Sequence, residues 1–416
     1  MGFADACNRV RFVSTKLGDL NLPFANGSLS FQRFAVVGKG PKGVEEELLE
    51  KAREHRLLEA EGPVEDETWG WCGGRHLLDG SFDYESNVFN DCLHLGLRID
   101  TNKPPGDLKR AYRAMEEQAA QGDRQFLSKS DKRDAKDAAD RRIEEEQREG
   151  RFKKSKMTPI LWDVPAGVVY GPSSITLAEK LYELFDRTYG LSLIPLTSGN
   201  LALRRLESTG RRRDYEDARP TRFVVGPQGE SHAAEYPWVS KGPQAKDFFG
   251  NEFLAWLWWT TETAGGGIDL GNAGVVTLMI DKSLDLDCCF GLTGRGTLRG
   301  DGPAGMPEAR HALRVGKVPR KLGLILDASS PFQLTLAGES LAVGGLRLPD
   351  PEDADSPRVL FEERINALRD FAGTLDGLFD AFLTARAGGG WPATSRKIGE
   401  WIARNTAPAA PARNAA

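Results

Sequence analysis

The chain contains 416 residues, of which 40% are hydrophobic and 28% are charged, and its formal net charge is −5. These values are typical of a globular protein with about two or three folding units, and they argue against a chain that lacks a core. The sequence has no run of about 18 apolar residues, which a membrane helix requires, and residues 1–30 lack a secretory pattern. We therefore expect a cytoplasmic protein with no membrane partner. The acidic total predicts that any nucleic-acid surface depends on local clusters of basic residues.

Hydrophobic periodicity predicts an α+β fold, in which small mixed or antiparallel sheets combine with helices. The first predicted elements are a strand at 28–37, a helix at 44–57, a strand at 88–100 and a helix at 108–120. The charged stretch 128–156 is expected to begin as a solvent-exposed helix with ion pairs between successive turns. The next predicted elements are paired strands at 159–162 and 167–170, a helix at 175–189 and a strand at 191–196.

The C-terminal half is predicted to contain a block of strands and one long helix. The strands are expected at 275–281, 284–292, 321–327, 332–337 and 341–346, and the helix at 359–385. The apolar segment FLAWLWW at 253–259 favours a buried core element, although an exposed docking patch is the alternative. Residues 204–250 are rich in Arg, Gly, Pro and Asp and have weak periodicity, which predicts an extended loop or an insertion.

Composition and periodicity together divide the chain into seven segments. They are an N-terminal extension (1–27), an N-terminal α+β domain (28–127), a basic helical finger (128–157), a central strand–helix–strand unit (158–200), an Arg/Gly/Pro-rich insertion (201–250), a C-terminal α+β domain (251–405) and a tail (406–416). The tail is rich in Ala and Pro, and we expect it to be disordered.

Patterns that suggest catalysis lack the context that each of them needs. GKGPKG at 38–43 matches a dinucleotide-binding glycine pattern, but Pro41 stiffens the turn and no parallel βαβ repeat follows. The five histidines form no close ligand pair, so a zinc site would need ligands from distant segments. Asp281, Asp285 and Asp287 could bind magnesium, although a solvated strand explains them better. We predict that the chain is not an enzyme and uses no cofactor, with a metal-dependent nuclease or DNA end-processing factor as the alternative.

Basic residues are the more informative feature. From Lys129 to Lys156 the chain carries eleven basic and eight acidic residues, but the stretch RFKKSK at 151–156 has no acid. Basic residues around an aromatic one suit phosphate contact combined with wedging at a base step. Further basic clusters lie in a glycine-rich loop at 295–299 and in RVGKVPRK at 314–321. Since nothing resembles a base-reading element, we expect sequence-independent contact. The candidate DNA-binding residues are Arg151, Phe152, Lys153, Lys154, Lys156, Arg295, Arg299, Lys317, Arg320 and Lys321.

Several segments occur in an order that resembles a known family. A strand and helix at 28–58 are followed by Gly70-Trp71, a strand ending in LRID, a charged finger and TPILWD at 158–163. Then come GVVYGPSSITLAEKLYELFDRTYGLSLIPLTS and, nearer the C-terminus, VGKVPRKLGLIL at 315–326. This collinear set resembles the RdgC family of recombination-associated proteins over most of the chain, although no single motif is diagnostic.

The resemblance implies a homodimer that closes into a ring around duplex DNA, associates with the nucleoid and restrains the RecA recombinase. By position, Phe152 falls where the family has a finger-tip phenylalanine, with Lys154 as its basic neighbour. Lys317 and Lys321 match two family lysines, and the loop at 295–299 falls near a basic loop.

The chain is longer than typical members, because residues 1–27, much of 200–250 and the tail are extra. The extra Arg-rich stretch would add DNA contacts or a partner surface, or would obstruct the ring. A protein-interaction scaffold without DNA binding, using FLAWLWW and 200–250, is a further alternative.

Overall fold

The computed structural model describes residues 24, 27–57, 66–122, 124, 126–225, 233–239, 246–271, 274–349 and 356–404. The predicted disordered tail and all but two residues of the predicted N-terminal extension lie outside this set. The described residues form two compact units. The larger unit comprises those within 1–37, 167–173 and 193–416, and the smaller unit those within 38–166 and 174–192. Among the described helices, none is both long and apolar enough to span a bilayer.

The secondary structure is mixed. In chain order the strands are β1 (Leu29–Val37), β2 (Glu67–Cys72), β3 (Val88–Phe89), β4 (Cys92–Asn102), β5 (Lys153–Asp163), β6 (Val168–Gly171), β7 (Ser192–Pro195), β8 (Gly267–Asp269), β9 (Val275–Cys288), β10 (Gly296–Arg299), β11 (Lys317–Asp327), β12 (Pro331–Ala337) and β13 (Val343–Arg347). The helices are α1 (Glu46–Glu54), α2 (Tyr84–Asn87), α3 (Gly106–Gln121), α4 (Lys129–Arg148), α5 (Ile175–Tyr189), α6 (Ser198–Ser208), α7 (Arg212–Asp217), α8 (Phe248–Thr263), α9 (Pro307–Arg314), α10 (Pro357–Ala387) and α11 (Trp391–Ala403). The α+β class is therefore confirmed.

The smaller unit is built on the antiparallel strands β2, β4 and β5, with β4 in the centre and β3 paired to its first residues. Residues at 92–100 of β4 are buried on both faces of the sheet. Helix α5 packs on one face, where Trp71 Nε1 donates to Thr188 Oγ1 at 2.8 Å. The strand predicted at 88–100 is interrupted by a turn at Asn90 and Asp91, whose φ angles are 49° and 59°.

Helices α3 and α4 form a hairpin. Ser128 begins α4 with a capping box to Asp131. The buried side chains of α4 are the spaced apolar residues Ala135, Ala139 and Ile143, whereas α3 has none. Charged groups therefore cover the rest of the hairpin, as its sequence predicted. The predicted finger at 128–157 needs correction, however, because the described structure pairs α4 with α3 and assigns residues 153–157 to strand β5.

The larger unit contains an antiparallel sheet with the strand order β10-β9-β11-β12-β13-β1-β6. The prediction of small sheets was therefore wrong for this unit. The strands predicted at 275–281 and 284–292 are one strand, β9, which continues through Lys282 at a φ of 56° and ends at Cys288. Along β9 the side chains alternate, so that the aliphatic residues at 276, 278, 280, 284 and 286 are buried and the polar face is more open.

Helix α8 is the apolar centre of the larger unit. It contains the FLAWLWW segment, and Phe253, Leu257 and Trp258 are fully buried. A helix that is apolar on every side must be covered on every side, and the prediction of a buried core element is confirmed. One charged residue, Glu252, is also fully buried, and its carboxylate accepts from Arg386 of α10 and from the Thr221 backbone N–H at 2.6 Å.

The region predicted as a loop at 204–250 is helical in part. Helix α6 continues to Ser208, and α7 occupies 212–217. Lys246 Nζ donates to the carbonyl oxygens of Tyr215, Glu216 and Ala218 at 2.5, 2.6 and 3.0 Å. These carbonyls lie at the C-terminal end of α7, where helical partners are missing, so the lysine completes the helix. These contacts hold the described part of 204–250 within the larger unit.

Replacing Arg386 by Met should be strongly destabilising, because it leaves the carboxylate of Glu252 buried without a cation. Burial already raises the pKa of Glu252, and Arg386 opposes that shift. We expect a loss of about 3–5 kcal/mol in the free energy of unfolding, measured by urea denaturation at pH 7. The matched control is Arg358→Met in the same helix, whose ion pair with Glu362 is half-buried, with side chains 42% and 32% exposed, and it should cost less than about 1 kcal/mol. Equal losses in both variants would contradict this account.

Candidate nucleic-acid interface

The predicted DNA-binding residues fall into two groups, one in each unit. The first, here called the finger-base surface, consists of Arg151, Phe152, Lys153, Lys154 and Lys156 in the smaller unit. The second, here called the loop surface, consists of Arg295, Arg299, Lys317, Arg320 and Lys321 in the larger unit.

The finger-base surface lies where α4 ends and β5 begins. The chain reverses at Gly150, whose φ of 72° favours glycine, and the Lys153 N–H donates to the Gly150 carbonyl at 3.1 Å. Phe152 is half-buried in this turn. Phe152 is therefore not at the far end of the helical hairpin, as a finger-tip residue would be, because it follows α4, whereas α3 ends at Gln121 and α4 begins at Lys129. Phe126 comes between these two helices in the chain and is 81% exposed, and it was not among the predicted site residues.

The four basic residues of the finger-base surface differ in how far acidic neighbours balance their charges. Arg151 forms ion pairs with Glu149 at 2.9 Å and with Glu146 at 3.5 Å. Lys153 lies 3.7 Å from Asp100. The exposed side chains of Lys154 and Lys156, however, form no ion pair with any described residue. Only these two lysines therefore offer a whole positive charge to a ligand.

The strand register adds two lysines that the sequence analysis missed. Lys154 lies opposite Thr101, which lies opposite Glu67, so the three side chains share one face of the sheet. Glu67 accepts ion pairs from Lys180 at 3.2 Å and from Lys103 at 3.6 Å. Burial works to raise the pKa of the Glu67 carboxyl, but the two ammonium groups outweigh it and hold that pKa below its ordinary value.

Lys180 is held by an aromatic ring as well as by this carboxylate. Its ammonium lies 3.9 Å from the centroid of the Trp69 ring, a cation–π geometry. By the same register, Trp69 lies opposite Ile99, which lies opposite Lys156. Lys103, Lys154, Lys156 and Lys180 are therefore on one face of the smaller unit. We call them the lysine cluster.

On the loop surface, the carboxylate of Asp285 neutralises Arg295. Arg295 forms an ion pair with Asp285, and Thr297 Oγ1 donates to the same carboxylate at 2.7 Å. Burial works to raise the pKa of Asp285, but the hydrogen bonds from Thr297 and Arg295 outweigh it and lower the pKa. Lys317 Nζ donates to the Gly294 carbonyl at 2.6 Å, which ties β11 to the glycine-rich loop.

Arg320 is likewise engaged within the protein. It forms ion pairs with Glu339 at 2.9 Å and with Asp287 at 3.4 Å, and its guanidinium lies 4.9 Å from the Trp238 ring centroid. Arg299 and Lys321 form no ion pair with any described residue. Lys321 lies opposite Asp285 in the β9–β11 register, so the basic and acidic residues of this surface alternate.

The acidic residues considered for a nuclease thus accept hydrogen bonds or form ion pairs within the protein. Asp285 and Asp287 accept from arginines, and Asp281 accepts from Gln333 Nε2 at 2.9 Å. Among the described residues, no three His, Cys, Asp or Glu side chains are grouped as a metal site would need. The GKGPKG segment follows β1, which pairs antiparallel with β6 and with β13.

No protein-family model matches this sequence, and a search of curated proteins found no match either.

The different environments of the lysines can be measured directly. In brief acetylation with an amine-reactive ester, Lys154 and Lys156 should be modified about tenfold faster than Lys180 and Lys246. The last two are shielded by Trp69 and by the α7 carbonyls, and an ammonium that donates its protons to fixed partners reacts slowly. Mass spectrometry of tryptic peptides gives the rates, and unfolding in urea should remove the difference. Equal rates in the folded protein would contradict the described contacts.

Proposed function

We propose that this chain binds duplex DNA through its phosphate groups and does not read the base sequence. The observation that carries the proposal is the exposed end of β5, where Lys154 and Lys156 lie on one face without a carboxylate partner among the described residues. An ammonium group in this state can neutralise a phosphate and release a counterion, which is the main source of sequence-independent affinity. Phe152 beside them is half-buried, so the proposal rests on the charges alone.

Charges on lysine side chains favour binding that does not depend on the base sequence. Base edges are read by side chains that form paired hydrogen bonds in a groove, and arginine forks do this best. Lysine is a point charge on a flexible stem. Two of the three arginines of the loop surface, Arg295 and Arg320, are already paired with carboxylates, which leaves Arg299. We therefore expect phosphate contacts to dominate on both surfaces.

The resemblance to the RdgC family supports a finer proposal. In this proposal two copies of the chain close into a ring around the duplex, the protein associates with the nucleoid, and it restrains RecA-type recombination by competing for DNA. A ring lined with basic residues would reconcile local positive surfaces with a net charge of −5.

Lys154→Ala combined with Lys156→Ala should weaken binding to duplexes of unrelated sequence by the same factor. We expect about a tenfold loss near physiological salt and a decrease of about two in the slope of log affinity against log salt, as two phosphate contacts disappear. Gel-shift titrations at several salt concentrations measure both. A selective loss on one sequence would contradict phosphate binding, and failure of the wild-type protein to retain duplex at low salt would refute the proposed function.

The matched control for this variant is Lys39→Ala combined with Lys51→Ala. Both lysines are in the smaller unit and removal of either lowers the net charge equally, but Lys51 already pairs with Glu47 at 2.7 Å. The control should change duplex affinity less than about twofold. A control loss as large as that of the test variant would mean that total charge, and not the end of β5, controls binding.

The loop surface gives a second, internal comparison. Arg299→Ala combined with Lys321→Ala should weaken duplex binding more than Arg295→Ala combined with Arg320→Ala, because Asp285, Asp287 and Glu339 already neutralise the latter pair. The difference should be about three- to tenfold in the same titrations. The reverse order would show that the ion pairs open when DNA binds.

A further inference from the structure

The lysine cluster contains a charge imbalance that one carboxylate only partly offsets. Four ammonium groups, those of Lys103, Lys154, Lys156 and Lys180, share their face with Glu67, so these five described groups together carry a charge of +3. Neighbouring strands lie about 4.8 Å apart, so the row from Lys154 through Thr101 to Glu67 spans about 10 Å between Cα atoms. Successive phosphates of one DNA strand lie closer together than this, so a surface of this length can face more than one phosphate.

The ammonium group of Lys180 is held in a fixed position before any ligand binds. Its side chain is only 11% exposed, and its ammonium lies over the Trp69 ring. A buried ammonium is stable only beside an anion or several acceptors. Among the described residues Glu67 is the one carboxylate that forms an ion pair with it. Lys180 therefore holds a fixed charge that requires an anion at the position where Glu67 now lies.

The Glu67 side chain is able to move away from Lys180 and Lys103. It is the first residue of β2, its side chain is 29% exposed, and it reaches Lys103, which is 60% exposed, at 3.6 Å. A carboxylate and a phosphodiester each carry one negative charge. Exchange of one for the other keeps Lys180 neutralised while the released carboxylate returns to water, so the exchange has a small electrostatic cost.

We propose that the lysine cluster is one phosphate-binding surface in which Glu67 occupies the position of a phosphate group until nucleic acid displaces it. The inference rests on the proposed DNA binding and adds Lys103, Lys180 and Trp69 to the contact surface. A single phosphate gains little by displacing Glu67. A nucleic acid can also contact Lys154 and Lys156, and these contacts compensate for the displacement of Glu67. Glu67 therefore disfavours the binding of isolated anions, and it also lowers the affinity for any polyanion.

The test is a double-mutant cycle. Glu67→Gln should bind a fluorescein-labelled duplex of about 20 base pairs about fivefold more tightly than the wild-type protein, as followed by anisotropy. In the Lys180→Gln background the same change should have an effect of less than about twofold, because the carboxylate no longer competes for that ammonium. Lys103→Gln provides the second background in case Lys180→Gln unfolds, and thermal melting checks each variant.

The matched control is Asp66→Asn. Asp66 is adjacent in the chain and carries the same charge, but its carboxylate accepts from Gln147 Nε2 at 2.6 Å and contacts no lysine of the cluster. It should change affinity less than about twofold in every background. Equal gains from Glu67→Gln and Asp66→Asn, additive with the lysine variants, would show a general charge effect and overturn the inference while DNA binding stands.

A second polyanion separates this inference from the proposed function. If no variant retains DNA, the proposed function fails, and elution from immobilised heparin then decides the inference. A higher elution salt for Glu67→Gln than for Asp66→Asn, lost in the Lys180→Gln background, would still support an anion site that Glu67 occupies. Identical elution of Glu67→Gln and Asp66→Asn would refute it.

Discussion

The larger unit depends on the burial of α8, a helix with apolar side chains on all sides. Because no face of this helix can be left in water, strands β9 and β11 and helices α10 and α11 pack around it. The same burial encloses Glu252, which then requires Arg386. Gly250, near the start of the helix, approaches Gly338 so closely that a Cβ at 250 would lie 1.8 Å from the Gly338 carbonyl oxygen. The position of the helix thus fixes the β12–β13 connection.

Ion pairs decide which of the basic residues can serve a ligand. On the loop surface, Asp285, Asp287 and Glu339 neutralise Arg295 and Arg320, and these pairs hold side chains of β9 and β11 in place. At the end of β5 the balance is different, because Asp100 lies on the other face of the sheet and Glu67, on the same face, pairs with Lys103 and Lys180. Basic residues of the same type therefore differ in whether an ion pair neutralises them, which composition and net charge cannot show.

Local patterns predicted much of the fold, and long-range pairing accounts for most of what they missed. The helix at 175–189 was predicted at its observed bounds, because its apolar spacing and the following Gly190, with a φ of 65°, are both local signals. The placement of Phe152 at a finger tip came from the family resemblance and not from a local signal, and in the structure Phe152 follows the chain reversal at Gly150. Lys180 and Glu67 are far apart in the sequence, and only the register of β2, β4 and β5 shows that they belong with Lys154.

The register also explains why a sheet can carry this cluster when a helix could not. On a strand, Lys154 and Lys156 project from the same face because side chains alternate, whereas on a helix residues two apart diverge. The antiparallel neighbours then place Glu67 and Trp69 in line with them, and α5 supplies Lys180 from above the sheet edge. Charges from two strands, from α5 and from Lys103 after β4 thereby meet on a surface whose spacing is set by backbone hydrogen bonds. Such a surface can present several positive charges to phosphates while the flexible lysine stems leave the bases unread.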